Sequence, residues 1–154
     1  MIRRAEKRDV QGLMALLLQV NGVHHAIRPD LFKGNTTKYD EQELEAVLAD
    51  DSKPVFVFTD GERILGHAFC QVSELKDHRL LQDAKTLYID DICVDEAARG
   101  RHVGRSLYEH VLGYARSAGC YNVTLNVWEG NDAALAFYRR MGMTVQKTGM
   151  EAVL

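Results

Sequence analysis

The stretch Asp91–Leu107, "DICVDEAARGRHVGRSL", decides how this chain is read. An apolar run ending at Val94 passes through a basic turn with two glycines. It then enters "HVGRSLYEHVLGYARSAG", where Val103, Leu107, Val111 and Ala115 recur at i, i+4, i+8 and i+12. That spacing predicts an amphipathic helix stopping at Gly119. A helix N-terminus presents unpaired N–H groups and roughly half a positive charge, which makes it an anion site. Gly100 and Gly104 allow close backbone approach. Arg99, Arg101 and Arg105 add charge where phosphate oxygens would lie, and each charge-assisted hydrogen bond is worth about 1.5–3 kcal/mol. Taken alone, the same residues read equally well as a glycine turn with solvated arginines. Neither GxxxxGK[ST] nor GxGxxG is present, so a P-loop and a dinucleotide fingerprint are excluded.

Outward from this turn the chain is uniform. Its 154 residues carry a formal net charge of -3, so the basic cluster is local and broad nucleic-acid binding is not expected. Hydrophobic residues at 46% and charged residues at 27% fit one globular domain over residues 1–154. Cys70, Cys93 and Cys120 are scattered, with no CxxC pair, so reduced thiols are expected and a metal site is not. "MIRRAEKRDV" lacks the apolar run of a secretory signal, and no segment reaches the length of a membrane span. The expectation is a cytoplasmic protein.

"MIRRA" reads as a strand, and Asp9 as the cap of a helix carrying Leu13, Leu16, Leu17 and Val20. "NGVHHAIRPDLFKGNTTKYD" reads as loop, and "DEQELEAVLAD" as a helix capped by Asp40. "PVFVFTDGERILGHAFCQV" is a hairpin turning at Asp60-Gly61. "TLYIDDICV" and "NVTLNVW" read as strands. "NDAALAFYRRMG" reads as a helix with Asn131 as cap and Gly142 as stop, and "MTVQKTGMEAVL" as one or two strands. The pattern is α/β (α+β): a mixed, mostly antiparallel central sheet of six to seven strands flanked by about four helices.

Two motifs in order carry a resemblance. Arg99 to Gly104 matches the [RQ]xxGx[GA] loop of the GNAT superfamily of N-acetyltransferases, with His102 standing where the first glycine usually sits. Asn131 through Tyr138 to Gly142 matches its "NxxAxxFYxxxGF", with Met143 in place of the last aromatic. The chain thus resembles that superfamily from about Pro54 onward. The resemblance implies acetyl-CoA as co-substrate, a primary amine as acceptor, no metal, and direct transfer in a ternary complex. It implies that Ile92, Cys93 and Val94 bond the pantetheine arm as an added strand. It also implies that residues Arg99 to Ser106, with Val103 among them, cradle the pyrophosphate. Asn126, Asn131 and Ala134 would line the same cleft, and homodimers are common in such folds.

Tyr138 stands where the family often has its general acid. A phenol of pKa about 10 can protonate a thiolate whose conjugate acid is near about 8.5 when held close. By spacing alone it reads as a core tyrosine beside Phe137. Asp90 and Asp91 are adjacent in an apolar strand, so regular alternation points them to opposite faces. Asp90 is the preferred base or amine anchor and Asp91 the second choice, a salt bridge to a helix being the structural alternative. His24, His25 and Arg28 would face the acceptor if the N-terminal segment forms that wall; a solvated loop is the alternative. No histidine pairs with Cys93 in sequence, so an acetyl-cysteine route is set aside. Two readings compete with the enzyme: a catalytically silent acyl-CoA-binding module and a small nucleotide binder.

Overall fold

Eighteen residues from Val10 to Ile27 form the first helix, α1, because the apolar recurrence at Leu13, Leu16, Leu17 and Val20 continues unbroken. Residues 21–27, expected as loop, extend it. The helix ends before Pro29, where Arg28 takes extended geometry (φ -133°, ψ 72°) that a following proline favours. Asp9 precedes α1, but its buried carboxylate does not cap it. It is gripped by the Arg3 guanidinium at 2.7 and 2.9 Å and by the Glu6 N–H at 2.8 Å. Burial acts to raise the Asp9 carboxyl; these bonds outweigh it and hold the group below its usual range.

The computed structural model describes residues 1–154. After β1 (Ile2–Arg4) and α1 come α2 (Glu41–Leu48), β2 (Val55–Asp60), β3 (Arg63–Leu75) and β4 (Ala84–Val94). Then follow α3 (Val103–Ser117), β5 (Asn122–Thr124) and α4 (Asp132–Arg140). Asp40 caps α2 through a reciprocal box with Glu43, as its sequence predicts. The five strands lie in the order β1-β2-β3-β4-β5, antiparallel except for the parallel β4–β5 pair.

Helices cover both faces of this sheet. On one side Leu13, Leu16 and Leu17 of α1 and Leu44 of α2 pack with Val57, Phe69 and Cys93. On the other, Val103, Leu107 and Val111 of α3 pack with Ala68, Leu87 and Ile89. Each fully buried leucine contributes about 1.5–3 kcal/mol.

The sheet has fewer strands than the six or seven expected. Residues 144–154 form no strand, and Val145, Met150 and Val153 are exposed. Alternation in "MTVQKTGMEAVL" supplies local propensity, but pairing needs an edge, and β5 offers only three residues of one.

Gly66 marks where α3 sits closest to the sheet. A Cβ there would lie 2.9 Å from the Cys93 carbonyl and 2.9 Å from Val103 Cγ1. Gly66→Ala should therefore destabilise the protein by about 1–3 kcal/mol in urea titrations. Gly22→Ala, on a helix position with nothing within 4 Å, should stabilise it by about 0.5–1 kcal/mol. Equal effects at the two sites would contradict this packing.

Candidate active site

The β3–β4 register slips by one residue at the acidic pair. Phe69 lies opposite Asp91 and Cys70 opposite Ile89, which leaves Asp90 unpaired as a bulge. The bulge reverses the side-chain parity. Leu87 and Ile89 before it and Ile92 and Val94 after it all pack on the α3 side, while Cys93 packs on the α1 side. Asp90 and Asp91 consequently share one face and line one cavity, which corrects the expectation that they point apart. Lys38 reaches from the loop after α1 to Asp90, Nζ to Oδ2, at 2.5 Å. Burial is the largest influence and would lower the Lys38 ammonium, but the Asp90 hydrogen bond together with the charges of Asp90 and Asp91 raises the group above its ordinary value. Asp91 Oδ2 lies 2.7 Å from Nε2 of His67.

Beside this pair the sheet opens. β4 and β5 are bonded only from Thr86↔Asn122 to Tyr88↔Thr124, and residues 125–128 leave the strand. The outer edge of β4 from Ile89 to Val94 then has no strand partner. Asn126 donates to the Tyr88 hydroxyl at 3.3 Å across the opening. A cavity of about 610 Å³ fills it, lined by Ile92, Cys93, Val94, Asn126, Asn131, Ala134 and Tyr138 among others. A second cavity of about 1040 Å³ shares Val94 and Arg99 with the first and runs over the start of α3.

That helix start is free to bind an anion. The first intrahelical bond runs from Ser106 N–H to the His102 carbonyl, so the N–H groups of Val103, Gly104 and Arg105 have no intrahelical partner. His102 makes no side-chain cap. It holds φ 60° and ψ 17°, left-handed geometry natural to glycine, and it is exposed on the lining of the second cavity. Gly100 also sits at positive φ, 78°. Arg99 lines both cavities and Arg105 the second, where it also pairs with Glu109 at 2.8 Å, whereas Arg101 lines neither and turns to Asp60 at 3.8 Å. Arg116 and Arg140 join the second cavity from α3 and α4. An uncapped, arginine-flanked helix start beside a parted pair of strands fits a phosphate-bearing thioester.

The model described as the acetyltransferase (GNAT) family matches residues 20–143. The chain belongs to the GNAT acetyltransferase family. Mycothiol acetyltransferase of Geodermatophilus obscurus is 31% identical over 127 residues, covering 82% of this chain and 40% of that protein. The chain thus spans about two fifths of the length of the first curated relatives it matches. A probable glucosamine 6-phosphate N-acetyltransferase of Oryza sativa is 33% identical over 135 residues, covering 81% of this chain and 72% of the relative. Among solved structures, a mutant of the BH1408 protein from Bacillus halodurans superposes with a TM-score of 0.95. It is 32% identical and is covered to 99%, against 100% of this chain.

In this GNAT domain, Tyr138 projects from α4 into the first cavity, its ring 5.1 Å from Phe137 and 6.2 Å from Tyr108. Burial, then the charge of Asp91, pushes its phenol well above the ordinary value, so it stays protonated. Asn131 caps α4 by accepting from Ala134 N–H at 3.4 Å while also lining the cavity. His24 lines the cavity too, packed on Phe32, which meets Trp128 edge-on. His25 and Arg28 line neither cavity. His25 Nδ1 sits 2.7 Å from the Phe32 carbonyl, and Arg28 bonds Asp30 and Glu151. Ser106 is likewise outside both cavities, and its N–H is already used in α3.

Lys38 and His67 are not marked by local sequence because their partners Asp90 and Asp91 are distant in the chain, and Arg116 and Arg140 because only the packing of α3 and α4 brings them to the second cavity. The thiols of Cys70 and Cys93 are each pushed up to about 12, chiefly by burial. Brief alkylation of the folded protein at pH 8 should therefore label Cys120 and spare both others, as mass spectrometry would read. Rapid labelling of Cys93 would contradict its burial. His102→Gly should raise the unfolding free energy by up to about 1 kcal/mol by relieving the left-handed backbone; a loss of stability would show that the imidazole has a structural partner.

Proposed function

We propose that the protein transfers the acetyl group of acetyl-CoA to a primary amine by direct reaction in a ternary complex. The parting of β4 from β5, leading to the uncapped start of α3, carries this reading. Bound acetyl-CoA supplies the acyl thioester. The backbone of Ile92, Cys93 and Val94 would bond the pantetheine arm along the open edge of β4, with an amide there as donor to the developing oxyanion. The N–H groups of Val103 to Arg105, with Arg99, would hold the pyrophosphate.

Asp90 and Asp91 would receive the amine as its ammonium and take one proton from it. The freed nitrogen bonds to the acetyl carbonyl carbon, and the carbon–sulfur bond breaks. Tyr138 protonates the departing sulfur and regains a proton, through solvent, from the nitrogen of the new amide. The raised pKa of Cys93 argues against its acting as a nucleophile.

The names of relatives and the acidic wall of Asp90 and Asp91 support an amine-bearing acceptor. Four relatives are named as glucosamine 6-phosphate N-acetyltransferases, one of them as probable, and the N-alpha-acetyltransferase RimI of Mycobacterium tuberculosis is 42% identical over 62 residues. An aminosugar or a peptide N-terminus is the acceptor to try first. A cytoplasmic setting suits the buried thiols, and no helix is long and apolar enough to cross a membrane. A homodimer suits the C-terminal quarter, in which every residue beyond Ala115 keeps some surface exposed, and sedimentation would measure it.

Calorimetry should show saturable coenzyme A binding that weakens with salt and is lost in Gly104→Trp, whereas His102→Gly should stay within a few-fold of wild type. Tyr138→Phe keeps the ring and should bind coenzyme A normally, yet lose about 10²–10⁴ in kcat with little change in KM. Coenzyme A binding without turnover of any amine would favour the silent module instead. Wild-type rates for Tyr138→Phe would leave the tyrosine as packing.

A further inference from the structure

The acidic pair is divided by what stands behind each carboxylate. Asp90 is exposed on its bulge and paired with the Lys38 ammonium, so a proton arriving there must first displace that cation. Asp91 is different: its side chain is 13% exposed, and what grips it is the fully buried imidazole of His67. His67 lies on β3 opposite Cys93, edge-on to the Phe69 ring at 4.8 Å. A carboxylate only accepts, so the proton of this 2.7 Å bond is on Nε2. Nδ1 is buried with no partner at all. A neutral ring leaves a lone pair there, whereas a protonated ring would bury an unpaired N–H, so the Nε2–H tautomer is the one that fits. One hydrogen bond is all this buried imidazole makes, and it goes to Asp91.

We propose that His67 is a positioning residue for catalysis. Its Nε2–H fixes one oxygen of Asp91, so that the other faces the cavity shared with Tyr138 and takes the proton of the acceptor ammonium. A neutral donor orients the carboxylate without adding the full positive charge that Lys38 brings to Asp90. Asp91 is then the base, and Asp90 with Lys38 is the charged rim that receives the ammonium. The inference rests on the acetyl-transfer reading above. It assigns a role in the site to β3 and reverses the order of preference within the pair.

The test is steady-state kinetics on the full chain with acetyl-CoA, following released thiol. Glucosamine 6-phosphate, spermidine and a short peptide with a free N-terminus serve as acceptors. His67→Met fills the site without a donor and should lower kcat by about 10–100-fold, with both KM values and coenzyme A affinity near wild type. His67→Gln places an amide N–H close to the Nε2 position and should recover most of that loss. Asp91→Asn should be at least as slow as His67→Met, and the double variant no slower than Asp91→Asn alone, because the histidine acts only through that carboxylate. A structural role predicts otherwise: Met and Gln equally impaired, coenzyme A affinity falling with kcat, and defects that multiply in the double variant. Any of those results, or an unchanged kcat in His67→Met, overturns the proposal while leaving acetyl transfer intact. Should His67→Met fail to fold, the comparison of His67→Gln with wild type and with Asp91→Asn decides by the same criteria. A wild type that binds coenzyme A but acetylates none of the amines overturns the acetyl-transfer reading itself, and this one with it.

Discussion

The loss of pairing between β4 and β5 after Tyr88 and Thr124 is the constraint on which the rest depends. A buried backbone N–H or C=O must find a partner, so an interior strand edge without a neighbour is costly unless water or a ligand meets it. Here the edge from Ile89 to Val94 opens into a cavity. The bulge at Asp90 falls at the same level of β4, and a bulged strand bends and twists more than a regular one. One extra residue therefore helps turn the strand from its neighbour and also brings two consecutive carboxylates onto one face.

The opening would be of little use without the start of α3 beyond it. α3 is anchored by Val103, Leu107 and Val111, all buried against the sheet close to Gly66. With its body fixed by that packing, its first turn can remain uncapped and its entry residue His102 can remain left-handed. Local strain persists only where surrounding structure determines it. The same packing delivers Arg99 to the junction of the two cavities and keeps Arg105 on the second, while Arg101 turns away to Asp60. Of the three arginines in the turn only Arg101 leaves the cavities, and Arg116 of α3 and Arg140 of α4 join them.

Much of this was legible from local pattern, and the failures share a cause. The helix at Val103, the cap at Asn131 and the β2–β3 hairpin follow from spacing and turn chemistry within a few residues, although the turn falls at Gly61-Glu62, one residue later than Asp60-Gly61. "TLYIDDICV" announces a strand, but nothing in it marks the bulge, and alternation then assigns Asp90 and Asp91 to opposite faces. "MTVQKTGMEAVL" has strand-like composition, yet a strand exists only if an edge is available. Asp9 looked like a cap because caps are acidic, and its actual partner, Arg3, lies on the preceding strand. His67 was passed over inside an apolar run because its partner lies 24 residues away in sequence. Non-local pairing decides each of these cases, and residue type alone does not encode it.

Amide hydrogen exchange with and without coenzyme A tests the central claim most directly. The open edge of β4 and the free start of α3 are held to be one continuous binding surface made of backbone donors. Saturating coenzyme A should slow exchange at residues 92–94 and at Val103, Gly104 and Arg105 together, leaving β2 and α2 unchanged. Protection at the α3 turn without protection along β4, or none at either, would contradict the account.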